Sequence, residues 1–535
     1  IRIREGEVNM VDKKEFSLLS EPWILVMRSD YSVDKLSLLD TLLEAHNIKS
    51  LAGESKAQDA AIFRLLLAIL YTVFTRKDAN GNEIEIANAK QATDYWGLLW
   101  DKQKFPSEPI KNYLEKWQEH FWLFHPEYPF YQVPNNTGTF NPAKKLNGQI
   151  VESSNKVQLF SISSGEKKER LTYDEAARWL VFLQGYGDTA AKNPSPKLSW
   201  LGSIGLIIAK GDSLFESLMY NMVFLENGTK PWGQAKPSWE QPMTNEKLRQ
   251  LPLPDNQPEL LTMQCRRVIL QSEDGFITGY IEAAGDFIEK ENAFCEQMTL
   301  WTDIKQKKEV IGYRPKVHEP ERQMWRDFSV LVGKGSEKPG IVTWISLVKS
   351  KRKLEKSKII SFELAGICYG NMFCGIVDSF SDELQINIAL LEELGVKWQH
   401  FICDEVENCK QLVKIVENLA YSIQMACGGD GENNNAGEQC YFRLDAPFRQ
   451  WLVTIDPSDN SKITINEKRK QWRKEAKLIA LQLGKELVEQ GGTAAIIGRE
   501  VKKKEKKKET THFYSAPKAY NYFMYELKKW EGDSK

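Results

Sequence analysis

The residues of this sequence best suited to chemistry are suited to holding a polyanion, not to breaking a bond. Residues 155–170 form a polar loop with Phe160 near its middle. Ser161, Ser163, Lys156, Lys167, Lys168 and Arg170 offer donors for phosphate oxygens there. An exposed Phe in such a loop needs a partner to cover it; otherwise the ring folds back onto the core. A small-residue turn follows, Gly185-Tyr186-Gly187-Asp188-Thr189, with Lys192 just after it. Glycine lets main chain approach a groove closely, though a glycine placed after an apolar helix also serves as a C-cap.

Three further groups have the same character. Lys305, Lys307 and Lys308 crowd one turn; lysines at a hairpin tip either reach a minor groove and its phosphates or stand in solvent. In Tyr369-Gly370-Asn371-Met372-Phe373-Cys374-Gly375, small residues bracket Asn371, Met372 and Phe373. Apolar side chains on a tight turn can wedge between base pairs, or they can pack into the core. The run Lys502-Lys503-Lys504-Glu505-Lys506-Lys507-Lys508 suits a phosphate backbone, but such a charge run is expected to be a solvated loop between helices.

Bond-breaking chemistry has few footholds. Gly333-Lys334-Gly335-Ser336 lacks the other residues of a phosphate-binding P-loop, and there is no Gly-x-Ser-x-Gly or His-Glu-x-x-His. The six histidines are dispersed, and a single Glu-x-x-His, Glu509 to His512, falls short of the two that a di-metal helix core requires. No catalytic residue, metal or cofactor is expected. The eight cysteines show no Cys-x-x-Cys spacing and read as buried thiols in a reducing cytoplasm. With 72 basic and 73 acidic side chains, net charge is −1, so any nucleic-acid contact must come from local patches. The longest apolar run, near residues 62–74, contains Arg64 and reads as too short and too charged for a membrane span.

These residues must be positioned by a large scaffold. At 535 residues with 42% apolar side chains, the chain can bury an extensive core. Residues 1–9 read as a leader before a start at Met10. Helices are expected over 36–46, 57–74, 112–124, 173–183 and 214–224. Residues 265–270 and 276–281 flank a turn at 272–275 and predict a hairpin. Residues 383–390 alternate polar and apolar as a half-buried strand does. Beyond them, helical faces at 412–423 and 472–487, with further helices at 440–455 and 520–530, predict a four-helix bundle. The fold class expected is α+β, with a mixed domain of helices and small antiparallel sheets over 1–397 and the bundle over 398–535.

Several short motifs occur in order along the chain: Leu18-Leu19-Ser20-Glu21-Pro22-Trp23-Ile24, Pro129-Phe130-Tyr131-Gln132, Arg266-Arg267 ahead of a strand, and Trp325-Arg326-Asp327. In these motifs and the helices that follow them, the sequence resembles the large subunit of the type I-E CRISPR surveillance complex Cascade, the CasA family. That resemblance implies a non-catalytic subunit that reads the protospacer-adjacent motif (PAM) in duplex DNA. It places Phe160 on a loop that contacts the PAM and neighbouring subunits. Gly187, Asp188 and Thr189 fall on a glycine-rich PAM-reading loop, where Asp188 replaces a usual glycine. Lys305 or Lys307 is the candidate for a minor-groove finger, with Lys290 as the alternative. Met372 and Phe373 fall on a strand-separating wedge where a polar residue is familiar. Implied partners are the other Cascade subunits with their guide RNA, target duplex and displaced strand, and a separate helicase-nuclease; no membrane is implied. The rivals are a metal-dependent nuclease with dispersed carboxylates and a purely structural ribonucleoprotein scaffold.

Overall fold

The computed structural model describes residues 14–148, 165–188, 198–351, 354, 359–373, 375–430, 435–505 and 508–532. The chain divides into two compact units. One comprises Ile1–Pro320, Val330–Glu355 and Ile360–Glu383; the other comprises Glu321–Ser329, Lys356–Ile359 and Leu384–Lys535.

The first unit is built around helix α1 (Lys56–Phe74), which starts where the Ser55 side chain accepts from the Gln58 amide. All its side chains from Ala57 to Phe74 are buried, as expected of a helix that is apolar on every face. At 19 residues the helix is longer than the apolar run suggested, and its length and composition would suit a membrane span. Here protein surrounds it instead. Arg64 forms a two-pronged pair with Glu296, at 3.0 and 2.9 Å. Trp200 Nε1 and the Met298 amide also donate to the Glu296 carboxylate. A buried charge is tolerable only when its partners are supplied in this way.

The sheets are small, as expected. Strand β1 (Thr139–Pro142) precedes helix α2 (Tyr173–Tyr186), whose first turn is closed by a capping box between Thr172 and Glu175. Strand β2 (Ile207–Lys210) follows. Strands β3 (Arg266–Glu273) and β4 (Phe276–Ala284) form the anticipated hairpin, and β1 joins the free edge of β4. Asp274 and Gly275, both at positive φ, make its turn. A second hairpin consists of β5 (Trp301–Gln306) and β6 (Glu309–Pro315). Strands β7 (Ile359–Tyr369) and β8 (Ile376–Asn387) complete a three-stranded sheet in the order β8-β7-β2. Of the strand expected over 383–390, residues 383–387 are the end of β8, with Leu384 and Ile386 buried, but the strand stops at Asn387 and Ile388–Leu391 form a 3-10 turn.

The second unit holds four long helices: α3 (Val396–Cys427), α4 (Ala436–Val453), α5 (Lys462–Ile497) and α6 (Ala516–Gly532). Helix α3 packs against the other three. Of the helical faces read from the sequence, Leu412, Val416, Leu419 and Ile423 with Trp472, Ala476, Ala480 and Leu483 are buried, while Ile415, Ile479 and Leu487 are half-buried. The early segment 321–329 belongs to this unit because Trp325 stacks on Phe448 and donates to Asp445.

Two further local expectations fail. The helix expected over 112–124 is α-helical only over Ser107–Lys116; Gln118–Phe121 is a short 3-10 turn and Trp122–Phe124 is a strand paired with Glu15–Ser17. The consecutive bulky residues Trp122 to Phe124 favour a pleated, half-buried surface over a longer helix. The lysine run, expected as a loop, lies largely in strands β9 (Arg499–Glu505) and β10 (Lys508–Tyr514), which pair antiparallel. Val501, Thr510, Thr511 and Phe513 supply strand propensity that outweighs the charge.

Glu296→Ala leaves the Arg64 guanidinium buried without its counterion. Unfolding in urea is expected to show a loss of about 3–5 kcal/mol; a loss below about 1 kcal/mol would mean that the pair does not organise this core.

Candidate nucleic-acid interface

The candidate site is built on the turn between β7 and β8. The Gly370 amide donates to the Gly375 carbonyl and the Phe373 amide to the Gly370 carbonyl, at 2.9 and 3.0 Å, which tightens the turn. Met372 and Phe373 stand at φ of 56° and 60°. A left-handed backbone costs a side chain-bearing residue about 1–2 kcal/mol. The same two side chains are 71% and 47% exposed, and Asn371 is exposed beside them. Core packing of this turn, the alternative left open by the sequence, is therefore not what the chain adopts. Two apolar residues are held outward on strained backbone, a combination found where function maintains it.

The roots of this turn are fixed to the end of α2. On the incoming strand, the Tyr369 hydroxyl donates to the Tyr186 carbonyl at 2.7 Å. Gly202 makes room for that hydroxyl, since a Cβ there would lie 2.3 Å from it. On the outgoing strand, the Gly375 amide donates to Asp188 Oδ2 at 2.6 Å. The end of α2 is held in turn by Arg266 at the start of β3. Its guanidinium donates to the carbonyls of Cys265, Gly187 and Asp188 and lies 3.2 Å from the Glu282 carboxylate on β4. Burial pushes the Glu282 carboxyl upward, while Lys145 and Arg266 pull it back down. The electron-rich carbonyls at a helix C-terminus are a natural seat for a guanidinium.

This arrangement revises the reading of Gly187 and Asp188. Both are buried, and the Gly187 carbonyl already accepts from Ser199 as well as Arg266. Their carbonyls are taken up by internal donors, and the Asp188 side chain supports the β7–β8 turn. Gly187 is needed for internal space, because a Cβ would lie 2.7 Å from the Leu183 carbonyl and 3.0 Å from Arg266 Nε. Its φ of −51° is not that of a left-handed helix cap. Phe160, Ser161, Ser163, Thr189 and Lys192 lie outside the described residues.

The lysine turn sits on the hairpin β5–β6, with Lys307 and Lys308 both at positive φ at its tip. Lys305, Lys307 and Lys308 are exposed, and Lys305 Nζ is 3.3 Å from Asp303. The alternative, Lys290, is exposed in the connection that precedes this hairpin. The segment leading into β5 lies along the segment leading into β2: the Ile207 amide donates to Met298 and the Leu300 amide to Gly205. The lysine hairpin and the sheet carrying Met372 and Phe373 therefore share a backbone junction.

Tyr369 and Gly375 were picked out only as the flanks of the 369–375 segment and Arg266 only within a short motif; the bonds they and Glu282 make here were not readable, since partners lie up to 187 positions away. The one available signal was Glu282, a carboxylate at an inward position of an apolar strand.

A sequence profile of the family described as CRISPR-associated protein Cse1 matches residues 17–483. The chain belongs to this family. A CasA/Cse1 protein of Thermus thermophilus is 30% identical over 222 residues, a match spanning 39% of this chain and 40% of that relative's length. Solved structures show the same fold more fully. Thermobifida fusca Cse1 superposes with a TM-score of 0.79 at 27% identity, over 97% of this chain and 98% of its own. Thermus thermophilus CasA does so with a TM-score of 0.72 at 20% identity, over 97% and 100%. A chain from a CRISPR RNA-guided surveillance complex matches with a TM-score of 0.61 at 17% identity, over 90% of this chain and all of its own.

In this Cse1-family chain, Gly187→Ala forces a methyl group against the Leu183 carbonyl, and it should cost about 1–3 kcal/mol of stability in denaturant unfolding. A change within about 0.5 kcal/mol would mean that the helix end yields and is not the fixed base described above.

Proposed function

We propose that this chain is the DNA-recognition subunit of an RNA-guided CRISPR surveillance complex and that it opens duplex DNA beside a PAM without breaking a covalent bond. The observation that carries this reading is the exposure of Met372 and Phe373 on strained backbone at the tip of an anchored hairpin. Membership of the Cse1 family and the likeness to a chain of a surveillance complex support it.

Docking begins with weak, salt-sensitive contacts to phosphates. Lys305 and Lys307, exposed on their hairpin, supply part of these and reach into the minor groove. Readout there is degenerate and weighted by shape. Phe160, Ser161, Ser163, Thr189 and Lys192 are assigned to the PAM-facing loops on sequence grounds. Insertion of Met372 and Phe373, with Asn371 beside them, unstacks the first base pairs and lowers the barrier to strand separation. Guide RNA held by other subunits then pairs with the target strand and supplies sequence specificity, a division of labour used by other RNA-guided effectors. The four-helix unit contacts the displaced strand and small subunits. Cleavage is left to a recruited helicase-nuclease, so this chain needs no cofactor of its own.

Met372→Ala with Phe373→Ala should weaken strand opening on matched targets by a few kcal/mol, read as slower fluorescence gain from a base analogue next to the PAM in the assembled complex. Unchanged opening would favour a purely structural scaffold. Neutralising Lys305 and Lys307 together should flatten the dependence of log K on log salt by up to about two units. An unchanged slope removes both from the contact surface. Purified protein with magnesium should leave DNA intact, whereas cleavage would favour the nuclease reading.

A further inference from the structure

The carboxylate of Asp188 is placed to do something other than touch DNA. It is 7% exposed, and its Oδ2 receives the Gly375 amide from the outgoing limb of the β7–β8 turn. Tyr186, two residues earlier, receives the Tyr369 hydroxyl from the incoming limb. A three-residue stretch at the end of α2 thus grips both limbs of the turn that carries Met372 and Phe373. Arg266 donates to the carbonyls of Gly187 and Asp188 from beneath, so the grip is backed by a buried cation. A glycine at 188 would keep the contacts of the main chain but lose the bond to Gly375.

We infer that Asp188 is a positioning residue, a strut that sets the pose of the wedge turn so that Met372 and Phe373 meet the duplex at the angle that opens it. This rests on reading residues 371–373 as the wedge. The strut explains how the tip keeps three residues, Met372, Phe373 and Gly375, in left-handed backbone. Without Gly375 held, the turn can relax toward ordinary angles and swing its apolar side chains away. It also explains why a carboxylate is tolerated near a polyanion: it is buried, already hydrogen-bonded, and adjacent to carbonyls held by a guanidinium.

The test compares Asp188→Ala, which removes the acceptor, with Asp188→Asn, which keeps a side-chain carbonyl oxygen to receive the Gly375 amide. Hydrogen exchange of the peptide covering residues 370–376 is measured on the full chain, and strand opening on the assembled complex. Asp188→Ala should speed exchange of that peptide about tenfold or more and slow opening to a similar degree, while Asp188→Asn should restore both toward wild type. Thermal unfolding of both variants identifies any global loss of fold, in which case the comparison rests on Asp188→Asn, whose opening rate should match wild type. The inference is overturned if Asp188→Ala leaves exchange at 370–376 unchanged. It is also overturned if exchange rises while opening does not change, provided that Met372→Ala with Phe373→Ala does slow opening. If that double variant opens DNA at the wild-type rate, the wedge reading has failed instead, and the exchange data alone judge the strut.

Discussion

The Arg266 guanidinium is the interaction on which the site depends. It is almost fully buried beside Glu282, and a buried charge left without partners is among the most destabilising features a protein can carry. It finds its carbonyl acceptors and its counter-charge only when the start of β3, the end of α2 and strand β4 are all in place. The need to satisfy one cation therefore draws three stretches of chain into a single arrangement. The β7–β8 turn inherits that arrangement through Asp188 and Tyr186. A strained, apolar, outward-facing tip is an unfavourable thing to build, and it persists because the base beneath it is over-determined.

Function follows from the contrast between that rigid base and the weak contacts around it. The whole chain is nearly neutral, so in the proposed function attraction to DNA comes from local patches such as the lysines on the β5–β6 hairpin. Weak electrostatic contacts suit a subunit that samples many sites and leaves most of them. In the proposed function the wedge acts at a different stage. Its apolar side chains gain little from phosphates and much from a base pair that has begun to unstack. Separating attraction from opening in this way lets one be tuned without the other.

What could be read in the sequence was whatever obeys short-range rules. The β3–β4 hairpin was visible in its Asp274-Gly275 turn, and α1 in its unbroken apolar spacing. The helices of the second unit were visible in faces such as Leu412, Val416, Leu419 and Ile423. The turn at 370–375 could be picked out because small residues bracket large ones, but its exposure could not, since that is a property of the surrounding fold. The buried places of Gly187 and Asp188 were hidden for the same reason, as was the role of Arg266, whose partners in the site lie on distant segments. The strand at 122–124 and the β9–β10 hairpin were misread because tertiary pairing outweighed local composition.

The most direct test of the central claim is to ask what the tip touches. A photo-crosslinking amino acid at position 373, in the complete guide-loaded complex bound to a matched duplex, reports its nearest neighbour on irradiation. Crosslinks to the bases immediately beside the PAM are expected, and none when that duplex lacks a PAM. Crosslinks confined to protein subunits, or absent altogether in a complex that still binds its target, would contradict the claim.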